Sequence, residues 1–552
     1  MRRTHRTHRT HRTHRALLAG VVAAALAVTG ALFAPTAASA DGAPYTGNQY
    51  DFGGAVTPIN GDISTVDSIA NSITASTQAT EADVAAHRAT LPYGDITPGA
   101  GPALSLYPGP AGVPASDQYS VAVNGQPSFV YKSLARKTDT NRELDTSWTS
   151  FSFAGSVTVS VTALGQSGLT GCMVRPFSAA IATTFANNTC TFTMSQAKNV
   201  SVEFDPNIHN PIPHPMLVFA NPPENDVPPA TGDPNVLYFG PGVHAIGSGI
   251  VLHSNETVYL AGGAYVQGAF IANGPVDNVT IKGRGVLDGL FMDTGNQDAN
   301  KNQPGMIDIA DQSSSNVLIE GITLVNAPRF NVRALAQYTT IENVKTMSWW
   351  YSTDGLVAGN KALVENNFVK SNDDSIKLFW GDEVVRGNTV WQLENGAPFM
   401  ISWNLEQDSN TFHVYDDDVI HAEHYQIQKS AIFRALHAGA GTPNRYLFEN
   451  IRVENANWRL FYLTIDNNKW YDPTLGYGEL DQLIFRDIHA YTNFTYPNVI
   501  QGIDGTHKVR DVNFINVFTN NACQSDASDF DIDPATTNAV RIVKSADGSC
   551  WT

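Results

Sequence analysis

The chain has 552 residues, 42% of them hydrophobic, enough apolar side chain for one large or two medium domains with a sizeable core. Its formal charge of −18 sets up a field that repels polyanions, which excludes nucleic acid and favours a neutral or cationic partner. The four cysteines, Cys172, Cys190, Cys523 and Cys550, lack C-x-x-C spacing, which excludes a thiolate metal knuckle and a redox dithiol.

Residues 1–40 read as a secretory leader. "MRRTHRTHRTHRTHR" carries six arginines and no acid, "ALLAGVVAAALAVTGALFAP" is an apolar h-region, and "TAASA" is a small-residue cleavage site. Cleavage is expected between Ala40 and Asp41, giving a secreted, extracellular protein with no membrane anchor. Loss of six arginines takes the formal charge from −18 to −24. In an exported chain the even cysteine count predicts two local disulfides, Cys172–Cys190 and Cys523–Cys550, the simplest of three connectivities.

From residue 41 to 205 the chain is rich in Ser, Thr, Val and Gly. Strict alternation in "SVTVSVTA" (Val157, Val159, Val161) and "NVSVEF" (Val200, Val202, Phe204) predicts an antiparallel β-sandwich. Eight prolines between Pro206 and Pro229 read as an interdomain connection over 206–229.

From 230 to 552 a short pattern recurs: an apolar residue, a charged one, then Gly, Asn or Asp. It occurs at Ile281, Ile319, Ile341, Val364, Val385, Phe448, Phe485 and Val509, with spacings of 38, 22, 23, 21, 63, 37 and 24. Taking 63 as three turns of 21, the period is near 22, the signature of a β-solenoid whose coils bury their apolar positions on one another. A leucine-rich repeat would need a leucine and asparagine framework that is absent. The expected architecture is therefore all-β, an N-terminal β-sandwich followed by a right-handed parallel β-helix, with functional loops on one face.

Two successive coils carry acids: "IENVKTMSWWYSTDGL" holds Asp354, and "VENNFVKSNDDSIKLFW" holds Asp373 and Asp374. Asp354 lies 13 residues after Ile341, and the pair 9 and 10 after Val364. That offset predicts a separation of about 10 Å, less if the chain bends, close to the roughly 6.5–9.5 Å between carboxyl groups in inverting glycosidases. Acids in "STDG" and "SNDD" also suit plain turns. Trp349, Trp350, Tyr351, Trp380 and Trp403 nearby offer flat apolar faces for sugar rings, with Asn372 and Lys377 as polar contacts. Clustered acids also suit calcium, and "YDDDVIHAEH" (Asp416, Asp417, Asp418, His421, Glu423, His424) is a second metal candidate or a solvated turn.

"TDG" at 353–355 followed by "NDD" and "IK" at 372–377 resembles glycoside hydrolase family 49, the dextranases and isopullulanase. The likeness extends through "YFGPGVHAIG" and "VYLAGGAYVQGAF". It implies inverting hydrolysis of internal α-1,6 bonds of dextran or, alternatively, of α-1,4 bonds in pullulan. Asp373 would be the general acid, with Asp354 and Asp374 holding and deprotonating the water. No metal or other cofactor is implied, the partner is a neutral α-glucan, and a monomer is expected. The related pectin hydrolases of family 28 carry Gly-His-Gly and Arg-x-Lys motifs; this chain has no "GHG" and has "SIK" instead, which disfavours an anionic pectin. Two other classes stay open: a calcium-dependent polysaccharide lyase, and a non-catalytic carbohydrate-binding β-helix. Asn187, Asn199, Asn255, Asn278 and Asn493 stand in N-x-S/T sequons.

Overall fold

The computed structural model describes residues 47–50 and 64–545, apart from 134–135, 138–141, 144, 206–211, 213, 426 and 525–528. The expected leader and Cys550 lie outside the described residues.

Two sheets form the sandwich. One orders Cys172–Arg175, Lys198–Phe204, Met216–Asn221, Thr146–Phe153 and Leu104–Leu106; the other orders Thr183–Ala186, Thr189–Met194, Val157–Ala163, Tyr119–Val123 and Gln126–Ser128. Val157, Val159 and Val161 of one sheet and Val200 and Val202 of the other share a core, as their alternation predicts. The disulfide Cys172–Cys190 joins the sheets as expected. The sandwich departs from the sequence reading at both ends. Met216–Asn221, inside the proline-rich stretch read as a connection, is a fully buried strand pairing parallel with Thr146–Phe153. Residues 64–88, read within the β region, form a helix. Its buried stripe, Val66, Ala70, Ile73, Thr77, Thr80 and Val84, has helical spacing; half of it is Ala and Thr, which weakens the apolar contrast in the sequence.

Beyond Val236 most coils contribute one strand to each of three parallel ladders. The ladder nearest the site contains Val332–Ala334, Leu356–Ala358, Ile376–Lys377, Phe399–Ser402, Phe433–His437 and Phe461–Ile465. The repeat pattern is a spatial register. Ile281, Ile319, Ile341, Val364, Val385, Val414, Phe448, Phe485 and Phe514 stand directly opposite one another in successive coils. The spacing of 63 is thus two coils rather than three, with Val414 as the missed copy because Tyr415 replaces the charged residue. Val509 pairs with Leu480 and is not a copy; Phe514 is. The third pattern position explains itself: Gly283, Gly321, Asn343, Asn366, Gly387, Asp416, Asn450, Asp487 and Asn516 all have φ between 51° and 129°, a region that Gly, Asn and Asp enter at least cost.

The helix Ser64–Arg88 covers one ladder through Val66, Ala70 and Ile73 against Leu447, Ile484 and Ile515. The sandwich covers a second through Trp148 and Phe219 against Trp349, Phe368 and Trp391. Among the described residues neither the helix nor the sandwich cluster packs on the third ladder. Inside the solenoid Phe485 stacks between Phe448 and Phe514, with ring centroids 4.9 Å and 5.4 Å away. Phe485→Ala is expected to cost about 3–5 kcal/mol, the range for a fully buried aromatic, read as a lowered urea midpoint. Of the sequons, Asn199 is buried and donates to Asn343 Oδ1 at 3.2 Å, so a glycan there is incompatible with this packing.

Candidate active site

Asp354, Asp373 and Asp374 converge just ahead of two neighbouring strands of the open ladder. One carboxylate oxygen from each lies within 4.8 Å of the others, closer than the 10 Å expected from counting along the coils. Counting from the repeat residue misleads, because the loop before Asp354 is longer than the one before Asp374. Counted back from the ladder pair Leu356 and Ile376, both acids are two residues upstream and stack coil on coil. Residues 372–375 bend instead of continuing the strand, which starts at Ile376. The bend lets both neighbouring acids face the site: Asp374 is fully buried, Asp354 nearly so, and Asp373 half-buried.

Each acid has a different holder. The Ser352 N–H donates to Asp373 Oδ2 at 2.8 Å and the Asp374 N–H to Asp373 Oδ1 at 3.0 Å. Trp403 Nε1 donates to Asp374 Oδ2 at 2.9 Å. Lys377 Nζ stands 2.5 Å from Asp354 Oδ1 and 3.4 Å from Asp374 Oδ2. Burial, then the charges of Asp354 and Asp374, push the Asp373 carboxyl well above the usual range. Burial also raises Asp354, against the opposing pull of Lys377. Lys377 itself is raised: burial lowers it, but the attraction of Asp354, Asp374 and Asp373 outweighs that. Like charges cannot all ionise in so small a volume, which favours a proton on Asp373, the carboxyl pushed well up, while the single Lys377 ammonium offsets part of the remaining negative charge. Acids that share a site with pKa values pushed apart are the arrangement that acid and base chemistry at one centre needs.

No family model matches the chain. A dextranase from Arthrobacter globiformis is 29% identical over 212 residues, 34% of this chain and 33% of that protein. Isopullulanase from Aspergillus niger is 27% identical over 372 residues, 57% of this chain and 65% of that protein. In these two alignments the chain spans about one third and just under two thirds of its curated relatives' lengths. The fold is that of Dex49A from Penicillium minioluteum, which it matches with a TM-score of 0.62 and 19% identity, over 81% of this chain and 100% of that one. The chain is thus similar to the dextranases and isopullulanase of glycoside hydrolase family 49.

The remaining site candidates divide sharply. Lys377 and Trp403 are at the acids. Trp350 and Tyr351 are half-buried, Trp350 packed on the same seam as Trp349, with ring centroids 4.4 Å apart. Trp380 is half-buried against Phe379 at 5.6 Å. Trp349 and Asn372 are corrections. Trp349 is 2% exposed within the seam between sandwich and solenoid, so it offers no face to a sugar. Asn372 is fully buried; its amide donates to Trp349 O at 2.8 Å and accepts from the Asn395 N–H at 3.1 Å, bracing the acid loop instead of meeting substrate.

The run "YDDDVIHAEH" is likewise spent on structure. Asp417 accepts from the Asn388 N–H at 2.6 Å, Asp418 from Ser178 Oγ at 2.6 Å, and Glu423 from Trp391 Nε1 at 2.8 Å, while His421 Nε2 meets Glu203 Oε1 at 2.5 Å. Asp416 is exposed at the turn that enters the strand Asp418–Ala422, as the solvated-turn reading has it, and the acids and histidines from Asp417 to His424 are buried. Among the described residues only Asp354, Asp373 and Asp374 cluster as cation ligands could, and the Lys377 ammonium already stands between two of them. Sequence reasoning missed Arg434, buried with its guanidinium 4.9 Å over the Trp403 ring. Its place, opposite Met400 and so one coil beyond the partner of Lys377, is a matter of register that no local motif encodes.

Proposed function

We propose that the protein is a secreted glycoside hydrolase that cleaves internal α-1,6 bonds of dextran with inversion. The observation that carries this reading is the three-acid cluster: Asp373, half-buried with its pKa pushed up, donates to the glycosidic oxygen. Asp354 and Asp374, sharing the Lys377 ammonium, hold and deprotonate the water. The 4.8 Å between nearest oxygens is tighter than the carboxyl spacing usual for inversion. What supports inversion is the likeness of the three-acid motif to family 49. Lys377 in the cation position also favours hydrolysis over a calcium-dependent lyase. Dextran is favoured because relatives from two Arthrobacter strains and from Talaromyces minioluteus are dextranases by name. Pullulan is the second reading, because isopullulanase aligns over a larger share of the chain.

Incubation of the mature protein with dextran and with pullulan, followed by proton NMR of the first-formed reducing ends, tests all of this. The expected result is release from dextran of products with inverted configuration. Retained configuration would remove the water-holding role from Asp354 and Asp374. An unsaturated product would establish a lyase, and binding without release of reducing sugar a non-catalytic module.

A further inference from the structure

The acids occupy one row of the solenoid, and the row continues past them. Ladder partners Leu356, Ile376, Phe399, Phe433, Phe461 and Asn498 stand in register. The residues two positions before them are Asp354, Asp374, Ala397, Ala431, Arg459 and Tyr496. Trp458, three before Phe461, matches Asp373, three before Ile376. At about 4.8 Å per coil, Arg459 and Tyr496 lie about 14 Å and 19 Å along the axis from Asp374.

There the loops build an aromatic cluster. The Trp458 and Tyr496 rings are 4.7 Å apart at 48°, and the Tyr496 N–H donates to Trp458 O at 2.9 Å. The Arg459 guanidinium lies 4.8 Å over Tyr462 and 5.5 Å over Tyr496. Donation to Pro497 O at 2.5 Å and Gln428 O at 2.7 Å fixes it there. Tyr462 and Trp458 are half-buried and Tyr496 is 36% exposed, so rigid rings reach solvent on the acid side of the solenoid. Tyr462 stands opposite Arg434, which lies over Trp403 at the acids, so cation and aromatic faces continue from the site to the cluster.

We infer that Trp458, Arg459, Tyr462 and Tyr496 form a distal subsite that takes a neutral glucosyl unit of the chain being cut at Asp373. This rests on the α-glucan hydrolase reading and deepens it. Rigid ring faces stack on the C–H faces of a hexose at small entropic cost, and a guanidinium fixed by donation to two backbone carbonyls adds a flat edge for hydroxyls. A long glucan held at the acids reaches the cluster; a short oligosaccharide does not.

The test compares the wild type with Trp458→Ala/Tyr496→Ala, and with Tyr496→Ala alone, the more exposed of the two rings. On dextran both variants are expected to raise KM, the double variant about tenfold, equivalent to about 1.4 kcal/mol, with kcat unchanged. On the shortest oligosaccharide cleaved they should match the wild type. Equal losses on long and short substrates, or no change on dextran, would overturn the subsite. A parallel calorimetric titration of Asp373→Asn with α-1,6-oligosaccharides of increasing length separates the two readings. If the wild type cleaves no glucan, the hydrolase reading falls. The subsite then stands if affinity grows with length and Tyr496→Ala abolishes that growth, and falls if it does not.

Discussion

Asp373→Asn is expected to lower kcat on glucan by about 10²- to 10⁴-fold, the share a positioned general acid contributes, while the fold survives. An amide oxygen still accepts from the Ser352 N–H that meets Asp373 Oδ2 at 2.8 Å. Stability supplies an independent reading. The folded-state pKa of Asp373 is raised well above 3.8 by burial and by Asp354 and Asp374. Its contribution is therefore fully present below the unfolded value and is lost as pH rises through the folded one. Asparagine mimics the protonated acid, except that its amide nitrogen cannot accept from the Asp374 N–H that Asp373 Oδ1 takes at 3.0 Å. The urea midpoint of the variant relative to the wild type should therefore rise as pH goes from about 4 to 7. Normal turnover, or a wild type whose stability relative to the variant does not change with pH, would take the proton away from Asp373.

Lys377→Met is expected to produce the second large effect. Its ammonium neutralises Asp354 at 2.5 Å and Asp374 at 3.4 Å. Removing one partner of a buried ion pair costs about 3–5 kcal/mol. Burial raises Asp354 and Asp373, and Lys377 holds both down; without it both carboxyls move up. The acidic limb of kcat/KM, where the base protonates, and the basic limb, where Asp373 loses its proton, should both shift to higher pH. A profile of kcat/KM against pH reads this directly, and two unmoved limbs would show that Lys377 does not set the acids' protonation. Part of the destabilisation should disappear at low pH, where the stranded carboxylates protonate.

Much of this was legible in the sequence for a physical reason: stacking makes each coil repeat its neighbour's constraints. The apolar, charged, then Gly/Asn/Asp pattern is the local record of a core position followed by a backbone turn at positive φ, so it showed the solenoid without any long-range information. Alternation in Val157–Ala163 and Lys198–Phe204 likewise showed the sandwich core. Legibility failed where one residue serves two surfaces. The 198–204 strand is buried on both sides, because Glu203 on its outer side faces Arg175 and His421. Met216–Asn221 is buried at every position, so neither strand gives a one-faced pattern over its whole length. Trp349 read as a sugar platform because aromatics beside acids suit sugars. Only the docking of the sandwich turned that side chain into seam.

The sequence by itself determined that the chain coils into a solenoid, that Asp354, Asp373 and Asp374 gather on one part of it, and which cysteines close the sandwich, since each depends on neighbours along the chain or on a repeated register. The tertiary structure decided how near the acids are, which of them is held by Lys377 and which by Trp403, and which aromatics remain exposed. Those depend on loop length between ladder positions and on what covers each face. A side chain's charge state and accessibility follow from the groups brought against it in space, and residues such as Arg434 and Trp403 reach the acids only through the stacking of coils.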